Sequence, residues 1–86
     1  GLLELSLLLA RQNQFKEAIE TAEKVAALEP KNLQVLAGVI DIAHRASHLE
    51  MAVRHLRRGL VLVPGDVQLR RLLARDLGNL AQYADA

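Results

Sequence analysis

The stretches KVAALEP (residues 24–30) and GLVLVP (residues 59–64) decide the fold. Their prolines, Pro30 and Pro64, are the two in the chain and stand thirty-four residues apart. Around them the same shift recurs: Ala18 as Ala52, Ala22 as Leu56, Leu28 as Leu62, and Phe15 as Leu49 and then Tyr83. A period of this length is that of a stacked helical solenoid, in which each unit buries its apolar face only against its neighbour. The prolines are its punctuation, because proline disfavours helical geometry in the residue before it.

Working outward, apolar spacing predicts five helices. The first covers 2–12, with Leu2, Leu5 and Leu9 on one stripe, Leu3 and Leu7 on a second, and Leu8 apart. Asn13 is the expected N-cap of a second helix over 15–29, with Ala18, Ala22, Val25 and Leu28 inward. Asn32 or its neighbour caps a third over 33–45, carrying Val35, Leu36, Val39, Ile42 and Ala43. Ser47 with Glu50 spells a capping box for a fourth helix running to about 63. Its inward residues are Leu49, Ala52, Val53, Leu56, Leu60 and Leu62. Gly59 inside it implies close approach of a neighbouring backbone. Pro64-Gly65-Asp66 turns into a fifth helix over 67–82, with Leu69, Leu72, Leu73, Leu77 and Leu80 apolar.

Eighty-six residues, 51% of them hydrophobic, allow one domain. It divides into repeat 1 over about 1–31, repeat 2 over about 32–65 and a partial repeat or capping helix over 66–86. Opening on Gly1 rather than Met, the chain is expected to be a piece of a longer protein. Phe15 and Tyr83 are its aromatic residues, so Leu, Val, Ile and Ala must build the core. The absence of cysteine removes thiol chemistry and fits a reducing, cytoplasmic compartment. The apolar start LLELSLLLA is too short to cross a bilayer and lacks a basic leader, so no membrane partner is expected. Charge is uneven: residues 1–43 carry four Lys/Arg against six Asp/Glu, and residues 44–86 carry seven Arg against four acids.

Candidate chemistry is sparse. His44, His48 and His55 lack the company of a metal set, with a turn between the first two. Asp41 and His44 can touch at i, i+3, but Ser47 serves better as a cap than as a nucleophile. No phosphate loop or nucleophile elbow occurs, so neither catalysis nor a cofactor is expected. Arg54, Arg57 and Arg58, then Arg70, Arg71 and Arg75, could meet phosphates, yet no aromatic platforms accompany them. Nucleic acid is therefore disfavoured.

Paired helices at this period resemble the tetratricopeptide repeat. The residues that carry the resemblance are Leu2, Leu5, Leu9, Phe15, Ala18 and Pro30 in the first repeat. In the second they are Leu36, Val39, Ala43, Leu49, Ala52, Gly59 and Pro64, and in the third Leu73, Leu77, Tyr83 and Ala86. The version is divergent and leucine-rich. Leu2, Ser6 and Leu9, then Leu36, Ile40 and Ala43, stand where the family has Trp, Gly and Tyr. Arg70 replaces Leu2 and Leu36, as suits a terminal helix with a polar outer face.

The resemblance implies an all-α fold: a right-handed solenoid of antiparallel helix pairs, about two and a half repeats in five helices. It also implies a non-catalytic protein-interaction module whose leading helices line a concave groove for a peptide or extended segment. By register the groove residues are Leu3, Leu7, Arg11, Gln34, Asp41, His44, Arg45, Gln68, Arg71 and Arg75. The asparagine-and-lysine clamp of chaperone-binding relatives is not reproduced, since Leu3, Leu7, Gly38, Gln68 and Leu72 hold those places. Arg45, Arg71 and Arg75 suit carboxylates, so the expected partner is a protein segment with an acidic end and an apolar anchor. Two further readings stand beside it: a structural or self-assembly element that dimerises through an apolar surface made by some of Leu3, Leu7 and Leu8 of the first helix, and RNA binding.

Overall fold

A computed structural model describes the backbone of residues 2–85 and the side chains of residues 2–82. The matches at the Tyr83 side chain and Ala86 lie outside the described residues. The fold is all-helical, with five helices and no strand among the described residues: α1 (Leu2–Arg11), α2 (Phe15–Leu28), α3 (Leu33–Arg45), α4 (Leu49–Leu62) and α5 (Val67–Asp85). Each expected helix is present, and α3 has the expected bounds.

Helix ends follow local chemistry. Asn32 caps α3, its side chain accepting from the Gln34 and Val35 amides at 3.1 and 3.3 Å. Asp66 does the same for α5, accepting from the Leu69 amide at 3.0 Å. Before each proline the chain leaves helical geometry at Glu29 and Val63, whose amides still bond the Val25 and Gly59 carbonyls.

The two turns that precede α2 and α4 differ from expectation. Asn13 and Ser47 are not N-caps, and Ser47 and Glu50 make no capping box; the N-cap positions fall to Gln14 and His48, neither with a side-chain cap bond. Asn13 and Ser47 instead take left-handed backbone, with φ of 62° and 59°. The Gln14 amide then reaches the Leu9 carbonyl at 2.9 Å, and the His48 amide reaches Ala43 at 2.8 Å. These bonds close the preceding helices in the Schellman manner, satisfying carbonyls that would otherwise lack donors. Helix termination wins over helix initiation at both places.

The core runs through the first four helices. Ala18, Ala22, Leu36, Val39, Ile42, Ala43, Ala52 and Leu56 are all fully buried. Small residues at 18, 22 and 52 let helices approach closely. The contact is close enough for the Ser6 hydroxyl, buried in α1, to donate to the Ala18 carbonyl at 2.6 Å. Each helix packs on the next in the chain, and α1 packs also on α3. Leu28, expected inside, ends α2 with 71% of its surface exposed, and Leu62 ends α4 likewise exposed. Both lie in the last turn before proline, past the reach of a neighbour. Gly59 is approached by a side chain rather than a backbone: a Cβ there would stand 3.1 Å from Leu69 Cδ1.

Candidate interaction cleft between α3 and α5

Among the described residues no Cα of α3 lies within 8 Å of one in α5, whereas α1 and α3 do pack at that range. The sequence explains the difference. Gly38 lets α1 come close, and the Leu3 methyls sit 2.9 and 3.0 Å from where its Cβ would be. Leu3 and Leu7, both half-buried, pack on the core. One period later the pattern reverses. Leu72 stands in the place of Gly38, and Ala37 and Asp41 stand in the places of Leu3 and Leu7. All three line the space between the helices, which stays open.

The result is a cleft of about 400 Å³. Leu33, Leu36, Ala37 and Ile40 of α3 line one wall, Leu69 and Leu72 of α5 the other, and Gly59 of α4 contributes backbone. Its polar lining is Asp41, His44, Asp66 and Gln68. Volume and composition match a small, mainly apolar recognition site with a few polar groups at its edge. A wider hollow of about 800 Å³ lies on the other side of His44, lined largely by polar residues such as Ser47, His48, Glu50, Asn79 and Gln82.

Of the ten residues expected to line the groove, Asp41, His44 and Gln68 line this cleft. Leu3 packs against Gly38 and Leu7 on the core, outside the cleft lining. Arg11, Gln34, Arg45, Arg71 and Arg75 are exposed and outside the cleft lining. Arg45 Nε donates to Asp41 at 3.0 Å, and Arg75 Nε stands 3.7 Å from Asp76. Sequence reasoning missed Leu33, Leu36, Ala37, Ile40, Gly59, Asp66, Leu69 and Leu72 as lining. The signal was available in the substitutions between repeats at 3/37, 7/41 and 38/72.

The histidines go to separate places. His44 Nε2 bonds Asp76 Oδ2 at 2.6 Å, joining α3 to α5 across the gap. Asp76 is fully buried, and its second oxygen has no hydrogen-bond partner. His55, also buried, bonds Glu23 at 2.5 Å, and Arg54 bonds the other oxygen of Glu23 at 2.5 Å. Burial pushes the Glu23 carboxyl up, but the hydrogen bond and charge of His55 and those of Arg54 outweigh it and hold the group below its ordinary value. His48 is exposed at the start of α4. Asp41, His44 and Ser47 do not assemble: Asp41 pairs with Arg45 and His44 with Asp76, while Ser47 serves the turn.

Of the three leucines expected to give α1 an exposed apolar surface, Leu8 is 51% exposed, while Leu3 and Leu7 are half-buried; the exposed companions of Leu8 are Leu2 and Leu5, each at 46%. No helix among the described residues is long and apolar enough to cross a membrane. No protein-family model matches the chain, and no curated protein matches it.

Proposed function

We propose that the chain is a non-catalytic protein-interaction module of the tetratricopeptide kind. In this reading its helices form antiparallel pairs in a right-handed stack. The face carrying α1, α3 and α5 receives an extended or helical segment of another protein. The observation that carries the reading is the apolar cleft between α3 and α5, set where consecutive leading helices face each other. Recognition there needs one apolar anchor and a few polar contacts, with most affinity in the anchor. The test is selection of displayed peptides on the immobilised, nuclease-treated protein, followed by titration of the winners in solution. Peptides that bind in saturable fashion support the module. Recovery of nothing beyond the background on an unrelated helical protein, together with tight binding of single-stranded RNA, would replace it with the nucleic-acid reading.

A second reading has its own observation. Leu2, Leu5 and Leu8 form an exposed apolar stripe on α1, larger than scattered surface leucines. Self-association through this stripe gives a concentration-dependent mass by light scattering that Leu5→Glu/Leu8→Glu abolishes.

A further inference from the structure

From the shape and charge of the α3–α5 cleft we infer the chemistry of its occupant: a leucine-sized side chain with a basic residue beside it on the partner segment. The inference rests on the reading of the chain as a protein-interaction module and adds which anchor and which charge it takes.

Size comes from the molecule's own precedent. In the preceding joint the Leu3 side chain lies against Gly38 of α3, and Leu3 and Leu7 both pack on the core. The cleft is the same joint one period on, with Ala37 and Asp41 in their places. Leu72, in the place of Gly38, supplies one leucine from α5, yet a cleft of about 400 Å³ remains, because α3 presents Ala37 and Asp41 where α1 presents two leucines. A partner that inserts an aliphatic side chain completes the packing and removes apolar wall from water.

Charge comes from the lining. Asp41 and Asp66 are the carboxylates on the cleft, and no arginine or lysine lines it. Asp41 already holds Arg45 at 3.0 Å, but both side chains are about half exposed, so the pair is weak and a partner's cation can take the place of Arg45 on the carboxylate. The Asp66 side chain spends one oxygen on the Leu69 amide, which fixes the carboxylate at the start of α5. A cation next to the anchor meets these oxygens, whereas an acid there meets like charge. Exposed pairs of this kind give discrimination and salt dependence more than affinity.

The experiment is a titration followed by amide chemical shifts, which detects weak binding. The probes are acetyl-Lys-Leu-Lys-amide, acetyl-Lys-Ala-Lys-amide and acetyl-Glu-Leu-Glu-amide, against wild type, Ala37→Leu and Asp41→Asn. Ala37→Leu restores in the second joint the residue that lies against Gly38 in the first. Lys-Leu-Lys should give saturable shifts at Ala37, Gly59, Leu69 and Leu72. The alanine probe should bind roughly tenfold or more weakly, as loss of one buried leucine side chain implies. Glu-Leu-Glu should bind less well than Lys-Leu-Lys, and the gap should narrow in Asp41→Asn and at high salt. Ala37→Leu should keep a dispersed spectrum and lose the shifts. Equal or better binding of Glu-Leu-Glu overturns the charge assignment. Undiminished binding to Ala37→Leu, saturable shifts confined to another surface, or no saturable shift with any probe overturns the anchor site. If displayed peptides still bind in any of these cases, the module reading survives and only its anchor is wrong; if they also fail, both fall.

Discussion

His55 of α4 and Glu23 of α2 share a 2.5 Å hydrogen bond, although no Cα of these two helices lies within 8 Å among the described residues. His44 and Asp76 do the same for α3 and α5. Each bond spans thirty-two residues. Histidine and carboxylate are long enough to reach between helices that do not pack backbone to backbone. Removing Glu23 leaves the His55 ring buried without its partner. Glu23→Ala should therefore destabilise the fold by about 1–3 kcal/mol in urea melts at neutral pH, more than an exposed ion pair would.

The same carboxylate sets an acid limb. Its folded pKa is lowered from 4.5, so the native state favours the ionised form. The stability it contributes is fully present above the unfolded value and is lost as pH falls through the folded one. Urea midpoints measured downward from pH 5 should fall less steeply in Glu23→Gln than in wild type. Parallel curves would show that Glu23 takes no part in the acid response.

Asp76 stands where the two preceding repeats have Leu8 and Ile42, and it is fully buried. A buried pair is costly to break and cheap to replace whole. His44→Ala should cost about 3 kcal/mol, since it leaves the carboxylate without its hydrogen bond. His44→Leu/Asp76→Leu should recover most of that. A double-mutant cycle in urea checks the coupling; strictly additive losses would mean that the two residues act independently.

Ser47 takes left-handed backbone with an exposed side chain. Such geometry costs an L-residue about 1–2 kcal/mol, partly offset by the extra unfolded-state entropy of glycine. Ser47→Gly should raise stability by up to about 1 kcal/mol, read as a higher melting temperature by circular dichroism. A capping role for the hydroxyl would give the opposite sign.

Ala52, fully buried, sits in the core where α3 and α4 pack. Ala52→Leu should overpack this contact and cost roughly 1–3 kcal/mol. An unchanged melt would show that the site has room that the packing denies.

The helices were legible because apolar spacing repeats within each one and proline ends two of them. Most of the buried faces of α2 and α3 followed from the same spacing, with Leu28 exposed and Ala26 and Ile40 buried beyond it. Met51 and His55 did not, because α4 packs against both α3 and α5 and so buries a wider face than one stripe. Ser6, His55 and Asp76 were invisible as core residues, since their partners lie twelve or thirty-two residues away, off the repeat. Asn13 and Ser47 read as caps because composition alone does not say which of two abutting helices a turn residue serves. The cleft was written in the sequence as a mismatch between repeats, Leu3 against Ala37 and Gly38 against Leu72. Reading the repeat for its likenesses passed over it.

The unequal contacts of α3 with α1 and with α5 also set how the molecule comes apart. α5 packs on α4 but meets α3 across the cleft through the His44–Asp76 bond. Fewer apolar contacts mean a lower local opening energy. Amide hydrogens of α5 should therefore exchange with deuterium before those of α3, and whatever fills the cleft should slow them. A segment bound in the cleft would then act as a clasp that ties α5 to α3.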